Sequence, residues 1–226
     1  MINYIQIIMN AGDCMVLTCE VGPFPTNAYF YIDDNSNHGF LIDPGYEAPK
    51  LLRVIEKRKL TVEKILLTHG HFDHIGAVNE LQNALNIPVC MQSNGRDYVK
   101  NIEMNGSKSF YAPPTMIDGE VTYLEDYSEI SLSNSPDFKL KIIPVPGHTT
   151  DGAMYYSARD GVAFVGDSIF YRSIGRTDLP GGNYDVLIDS IKRRILTLPD
   201  ESILLSGHSE PTTVGEEKIR PWFNVD

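Results

Sequence analysis

Four apolar runs in this chain each break off at a glycine-bearing turn that carries histidine or aspartate, and this limits the fold more than any other feature. The densest turn is Thr68-His69-Gly70-His71-Phe72-Asp73-His74, directly behind Ile65-Leu66-Leu67. Three of the six histidines and one carboxylate fall within it. The other runs are Ile142-Ile143-Pro144-Val145-Pro146-Gly147-His148, Val162-Ala163-Phe164-Val165-Gly166-Asp167 and Ile203-Leu204-Leu205-Ser206-Gly207-His208. Each reads as a buried strand ended by glycine, which lets the backbone bend sharply at the exit. If the strands run the same way, their C-terminal ends set these polar residues along one rim, where α/β sheets build their sites. Taken singly, each of the later residues is equally a satisfied polar group at a strand end. Together they point to one site, and only His38, in the Asn35-Ser36-Asn37-His38-Gly39 turn, is left over.

Neutral imidazoles and a carboxylate suit zinc, iron or manganese. In extended backbone His69 and His71 share a face, and Asp73 and His74 fall across the turn into a helix. One segment can then serve two metals, His69 and His71 holding one, Asp73 and His74 the other. The alternative is a histidine-rich surface loop; the density of ligands argues for metal.

This stretch, followed by isolated His148, Asp167 and His208, resembles the metallo-β-lactamase superfamily, and most closely its small hydroxyacylglutathione hydrolase (glyoxalase II-like) branch. Gly22-Pro23-Phe24, Leu41-Ile42-Asp43-Pro44-Gly45, Pro146-Gly147-His148-Thr149, Gly166-Asp167-Ser168-Ile169-Phe170 and Ser173-Ile174-Gly175-Arg176-Thr177-Asp178 extend the resemblance along nearly the whole chain. It implies an α/β (α+β) fold, the four-layer αββα sandwich with two mixed sheets face to face and helices outside. It also implies two divalent metal ions, zinc first, with iron or manganese as alternatives. One would be held by His69, His71 and His148 and the other by Asp73, His74 and His208, with Asp167 bridging. Asp43 is implied as an acceptor that orients a metal-bound histidine, and Arg176 as a basic contact for a substrate carboxylate. For Arg176 the alternative is a surface pair with Asp178. Asp73, beyond holding metal, would orient the nucleophile. Two such metals lower the pKa of a shared water from 15.7 toward ~7. A thiol leaving group, with a pKa near ~8.5, departs without a strong general acid.

The implied activity is therefore thioester hydrolysis. The larger glyoxalase II enzymes continue into a C-terminal helical domain that helps hold glutathione, whereas this sequence runs only to Asp226, so the thiol carrier stays open. A rival within the superfamily is the iron persulfide dioxygenase, in which His69, His148 and Asp167 would form a facial triad on one iron. A non-catalytic binding protein on the same scaffold is a second rival, disfavoured by the complete ligand set. There is no G-x-S-x-G nucleophile elbow.

At 226 residues the chain suits one domain over 1–226. Hydrophobic residues make up 42% and charged ones 22%, the balance of a soluble globular protein. No apolar run reaches the ~18 residues of a membrane span, and the first residues lack the basic start of a signal peptide. Cys14, Cys19 and Cys90 sit in no metal spacing and read as reduced core thiols, so a cytoplasmic protein is expected. A net charge of −11 argues against a nucleic-acid partner; with no export signal, antibiotic hydrolysis and RNA processing rank lower than a small-molecule thioester.

Along the chain, Tyr4–Met9 and Met15–Glu20 read as strands, and Ala28–Ile32 with Phe40–Ile42 as a hairpin pair. Pro49 opens a helix to about Lys59, and Ile75, Val78, Leu81 and Leu85 recur at helical spacing. Pro88–Met91 reads as a strand and Asn94–Glu103 as a helix. Residues 104–120 show neither period; Phe110, Tyr111 and Met116 there either line a substrate mouth or belong to a plain surface loop. Tyr123–Leu132, Phe138–Pro144, Ala153–Ser157 and Val162–Val165 read as strands. Tyr184, Leu187, Ile188, Ile191 and Ile195 mark one helix face, and Thr213-x-x-Glu216 a capping box.

Overall fold

A strand covered on both faces needs apolar residues at every position rather than every second one. Tyr29-Phe30-Tyr31-Ile32, Phe40-Leu41-Ile42 and Ile65-Leu66-Leu67 are of this kind, and all are buried. The computed structural model describes residues 5–8 and 14–220. One sheet has seven strands in sequence order: β1 (Ile5–Ile8), β2 (Cys14–Val21), β3 (Thr26–Asp33), β4 (His38–Ile42), β5 (Thr61–Leu67), β6 (Val89–Gln92) and β7 (Val121–Leu124). The pairings from β1 to β4 are antiparallel and those from β4 to β7 parallel.

The second sheet takes β8 (Glu129–Ser131), β9 (Lys139–Pro144), β10 (Ala153–Ser157), β11 (Val162–Gly166), β14 (Ile203–Ser206) and β15 (Thr212–Thr213), in the order β15-β14-β11-β10-β9-β8. Between β11 and β14 a small ribbon forms from β12 (Ile169–Phe170) and β13 (Ser173–Ile174). β9 and β11 are both antiparallel to β10, and β14 is parallel to β11. The three strands expected to share a direction therefore do so.

Three apolar layers separate these elements. Helices α1 (Ala48–Arg58) and α3 (Val78–Leu85) press Leu51, Val54, Val78 and Leu81 onto Phe30, Leu41 and Leu67 of the first sheet. Alternate residues of the same strands, Tyr29, Tyr31, Phe40 and Leu66, meet Phe138, Leu140, Tyr155 and Phe164 of the second sheet. On that sheet's far face, α4 (Tyr184–Ser190) and the π turn Ile191–Ile195 set Leu187, Ile191 and Ile195 against Met154, Ala163 and Val165. Helix, sheet, sheet, helix is the expected four-layer sandwich. Among the described residues no helix is long and apolar enough to cross a membrane. The three cysteines are free and buried; burial pushes the Cys14 thiol up to about 12 and those of Cys19 and Cys90 to about 11.

Several elements differ from expectation. The helix over 94–103 is only a 3-10 turn, Ser93–Asp97. The Asn101 carboxamide accepts the N–H groups of Glu103 and Met104 at 3.0 and 3.3 Å, which offers the backbone an alternative to the helix. Tyr123–Leu132 is two strands in different sheets, parted by a turn in which Tyr127 takes φ 63°. The helical spacing from Ile75 to Leu85 covers two helices, α2 (Phe72–Ile75) and α3, parted where Gly76 abuts Gly45; a Cβ there would lie 2.3 Å from the Gly45 carbonyl oxygen. Tyr184 turns to solvent instead of joining the buried face of α4. The first strand is described over Ile5–Ile8, and Tyr4 and Met9 lie outside the described residues. Half of the expected capping box forms: Glu216 N–H donates to Thr213 Oγ1 at 3.2 Å at the start of α5 (Val214–Lys218), while the Glu216 carboxylate accepts from the Thr212 hydroxyl at 3.1 Å.

Candidate metal centre

The C-terminal ends of β5, β9, β11 and β14 deliver the polar turns to one rim. His69 and His71 lie in the bend after β5, and α2 carries Asp73 and His74. His148 follows β9, Asp167 directly follows β11, and His208 lies two residues beyond β14. The two sheets are joined here, since Ala153 N–H donates to the Thr68 carbonyl at 2.9 Å. Gly166 turns at φ +52°, the left-handed region glycine enters at no steric cost. Gly207 is required for space: a Cβ there would stand 2.2 Å from Asp167 Oδ1 and 2.6 Å from His74 Cε1.

The outer nitrogen of nearly every imidazole is fixed. His148 Nδ1 donates to the Arg176 carbonyl at 2.7 Å, His208 Nδ1 to the Pro25 carbonyl at 2.8 Å, and His74 Nδ1 to Asp43 Oδ2 at 3.0 Å. Thr68 Oγ1 gives its proton to Asp43 Oδ2 at 2.6 Å, so it accepts from His69 Nδ1 at 3.1 Å. These four rings thus aim Nε2, the nitrogen a metal ligand would use, inward, and in His69 and His148 it is bare. His71 points Nδ1 inward, 3.2 Å from His69 Nε2 and 2.9 Å from His148 Nε2. No more than one proton fits among those three nitrogens, which leaves lone pairs facing one another. His74 Nε2 and Asp167 Oδ1 are buried with no hydrogen-bond partner, and such orphaned groups are costly unless something pairs them. This donor set fits divalent cations.

Two trios of ligand atoms each lie within 4.8 Å: His69, His71 and His148, and Asp73, His74 and His208. Asp167 faces both, with Oδ2 3.7 Å from His148 Nε2 and 3.3 Å from His208 Nε2, and Oδ1 3.4 Å from His74 Nε2. Asp43, His69 and His74 form a third close trio. Its Asp43 oxygens are already spent on Thr68 N–H at 2.8 Å, the Thr68 hydroxyl and His74, so Asp43 orients His74 rather than ligating. Asp43→Asn keeps a residue that tolerates φ 49° but turns a donor toward donors. Metal affinity in that variant should fall about 10–100-fold, as read by competition with a chromogenic chelator.

The electrostatics differ between the trios. Burial foremost, with neighbouring imidazoles, holds His69 well below the usual histidine range and His71 at about 3. Burial also lowers His148, against the pull of Asp167. His74 and His208 go the other way: burial is the largest single effect and opposes their protonation, but Asp167 and Asp73 together, joined at His74 by Asp43, overcome it, raising His74 well above the ordinary value and His208 to about 10. Against burial, His74 and His208 hold Asp167 and Asp73 ionised, below their ordinary values. In the metal-free protein the two carboxylates keep protons on the imidazoles that a cation would displace.

Beside the centre opens a cleft of about 430 Å³ walled by Phe24, Phe72, Phe110 and Phe170. Of the residues expected at its mouth, Phe110 lines it, whereas Tyr111 is 96% exposed, is absent from the lining and does not form the mouth. Tyr111 sits at φ 51°, in the left-handed region. Arg176 lines the cleft, yet its Nε and Nη2 are both 2.7 Å from the Asp178 carboxylate. His38 lies elsewhere, 2.8 Å from Glu63. No local pattern marks Asp151, whose buried Oδ2 accepts Gly70 N–H at 2.9 Å and steadies the His69–His71 loop. Burial pushes its carboxyl up to about 7. In sequence it is one more aspartate in a Thr-Thr-Asp-Gly turn.

Residues 21–208 match the family described as the metallo-beta-lactamase superfamily. The probable metallo-hydrolase YqgX of Bacillus subtilis is 36% identical over 205 residues, 90% of this chain and 95% of its own length. The hydroxyacylglutathione hydrolase GloC of Haemophilus influenzae is 35% identical with the same coverage of each. Among solved structures, BLEG-1, a B3 metallo-beta-lactamase, superposes with TM-score 0.87 at 34% identity, over 93% of this chain and 100% of its own. TTHA1623 in a di-iron-bound form gives 0.81 at 32%, over 91% and 98%. ETHE1 from Myxococcus xanthus gives 0.73 at 26%, over 91% and 82%. A family match over most of the chain, a shared four-layer fold and one converging set of histidines and aspartates agree: the chain belongs to the metallo-beta-lactamase superfamily.

Proposed function

We propose that the chain is a cytoplasmic binuclear metallohydrolase that cleaves thioesters, of the hydroxyacylglutathione hydrolase type. The observation that carries this reading is the second trio: Asp73, His74 and His208 converge beside His69, His71 and His148, with Asp167 between. Similarity to GloC supports the reaction class. Two divalent ions, zinc or iron, supply when bound a water acidic enough to attack at neutral pH and a Lewis acid for the substrate carbonyl.

The chain's own groups do the rest. Asp73, ionised and lining the cleft, would orient the nucleophile by accepting its hydrogen bond, with its Oδ2 3.2 Å from His208 Nε2. A C–O bond forms at the acyl carbon, the C–S bond breaks, and the sulfur leaves as thiolate, so no second acid is needed. The phenylalanine walls keep bulk water from the acyl carbon, which strengthens every charge interaction there. Asp43, through His74, and the Arg176 and Pro25 carbonyls, through His148 and His208, hold the imidazoles in register.

Metal-loaded protein should hydrolyse acyl thioesters, and excess chelator should abolish the activity until metal is restored. A metal-replete protein silent on a broad thioester panel refutes the reading. BLEG-1 is named as a β-lactamase, so a β-lactam belongs in the same panel. Likeness to ETHE1 favours one alternative, an iron persulfide dioxygenase using His69, His148 and Asp167. Oxygen uptake on glutathione persulfide, with one iron per chain, would establish it instead.

A further inference from the structure

The cleft wall is apolar and held together by contacts among its own rings. The rings of Phe24, Phe72 and Phe110 meet edge-on or tilted, with centroids 5.3, 5.5 and 5.6 Å apart. Two of them are built next to ligands. Phe72 lies between His71 and Asp73, and Phe24 precedes Pro25, whose carbonyl anchors His208. The third comes from the irregular segment, which is clamped in place. Phe72 N–H donates to the Asn105 carbonyl at 2.9 Å, Asn105 Nδ2 to the Thr115 carbonyl at 2.6 Å, and Ser107 N–H to Asn105 Oδ1 at 3.0 Å. Asn105 and Ser107 are both buried. A wall held in this way gains affinity because little ordering remains for binding to impose.

The same cleft offers little to an anion beyond the metal centre. Among the described residues Arg176 is the one lysine or arginine in its lining. Its charge is matched by Asp178, and its guanidinium lies 5.4 Å from the Phe110 ring. The wall therefore reads shape and apolar area rather than charge.

Resting on the thioesterase reading above, we infer that this site selects its substrate by the acyl group: thioesters of apolar acids, whose tails lie along Phe24, Phe72 and Phe110, with little regard for the thiol carrier. Each methylene buried on this wall raises affinity about fourfold. A short hydroxylated acyl group such as lactoyl gains little there.

Two series test this. The first is binding: calorimetry of metal-loaded protein with S-(2-oxoalkyl)-N-acetylcysteamines, ketones that replace the scissile bond and cannot be hydrolysed. Affinity should rise about fourfold per methylene along the alkyl series. Phe110→Ala should cut that increment to less than about twofold, while Phe110→Leu, which keeps an apolar side chain, retains most of it. The second is turnover: kcat/KM for acetyl, butanoyl, hexanoyl and octanoyl N-acetylcysteamine should follow the same slope, hexanoyl exceeding lactoyl on either thiol. A flat ketone series, an increment unchanged in Phe110→Ala, or a preference for S-lactoylglutathione over the hexanoyl thioester overturns the inference. A steep ketone series with no thioester turned over sinks the thioesterase reading and leaves the acyl wall standing. Turnover with a flat series does the reverse.

Discussion

Asp167→Ala should lose at least ~10³-fold in thioester kcat/KM and retain no more than one metal ion per chain. Asp167 touches both halves of the centre, within 3.3–3.7 Å of the inward nitrogens of His74, His148 and His208. Its removal leaves five imidazoles and the single carboxylate of Asp73 to balance two dications. The trio of His69, His71 and His148 stays intact and can still hold one ion. The side chain stands on the turn after β11 and packs no core, so the folded structure should survive; circular dichroism checks this. Asp73→Asn gives the comparison, since it keeps the volume but loses the charge that orients the nucleophile, and activity should fall further than metal content does. An Asp167→Ala protein that keeps two ions and a tenth of its activity would remove the bridging role.

Loading the metal-free protein with zinc should raise Tm by about 8–16 °C. A ligand that binds only the native state at a thousand times its Kd stabilises by about 4 kcal/mol. Near this chain length each kcal/mol moves Tm by about 2–4 °C. The structural cause is the crowding of His69 Nε2, His71 Nδ1 and His148 Nε2 at 2.9 and 3.2 Å, which a cation among them relieves. The two trios should also differ in their protons. His69 and His71 are already deprotonated at neutral pH, so filling their side releases almost none. His208, raised to about 10, and His74, raised well above its ordinary value, bind protons that a cation must displace. Affinity on the Asp73 side therefore rises with pH throughout the range below about 10. Titration calorimetry in two buffers of different ionisation enthalpy should show one event with little proton release and one with substantial release. A thermal shift under 2 °C, or two events with equal proton release, would contradict this.

The ligands were legible because each lies in the turn or short helix that follows a strand ending in an apolar run. The rim followed from strand direction, which the β9, β11 and β14 pairings establish. What was not legible depends on contacts distant in sequence or on side chains competing with backbone. Asp151 matters only because the chain brings it to Gly70 N–H. Phe24 joins a wall with Phe72 and Phe110 that no local period marks. The 94–103 segment holds Asn94, Gly95, Asp97 and Asn101, all poor helix formers, and Asn101 diverts its backbone donors. Between β7 and β8 the stretch Glu125-Asp126-Tyr127-Ser128-Glu129 holds neither glycine nor proline, so the turn where the chain changes sheets is weakly marked. Tyr111 and Phe110 are adjacent aromatics, and no local pattern marks which one faces the cleft.

The central claim is that seven side chains grip two cations. Elemental analysis of the protein as isolated, combined with anomalous diffraction from its crystals, tests this most directly. The account predicts two divalent ions per chain, one among His69, His71 and His148 and the other among Asp73, His74 and His208, with Asp167 touching both. No ion at this rim, or a single ion that ignores Asp73 and His208, would contradict it.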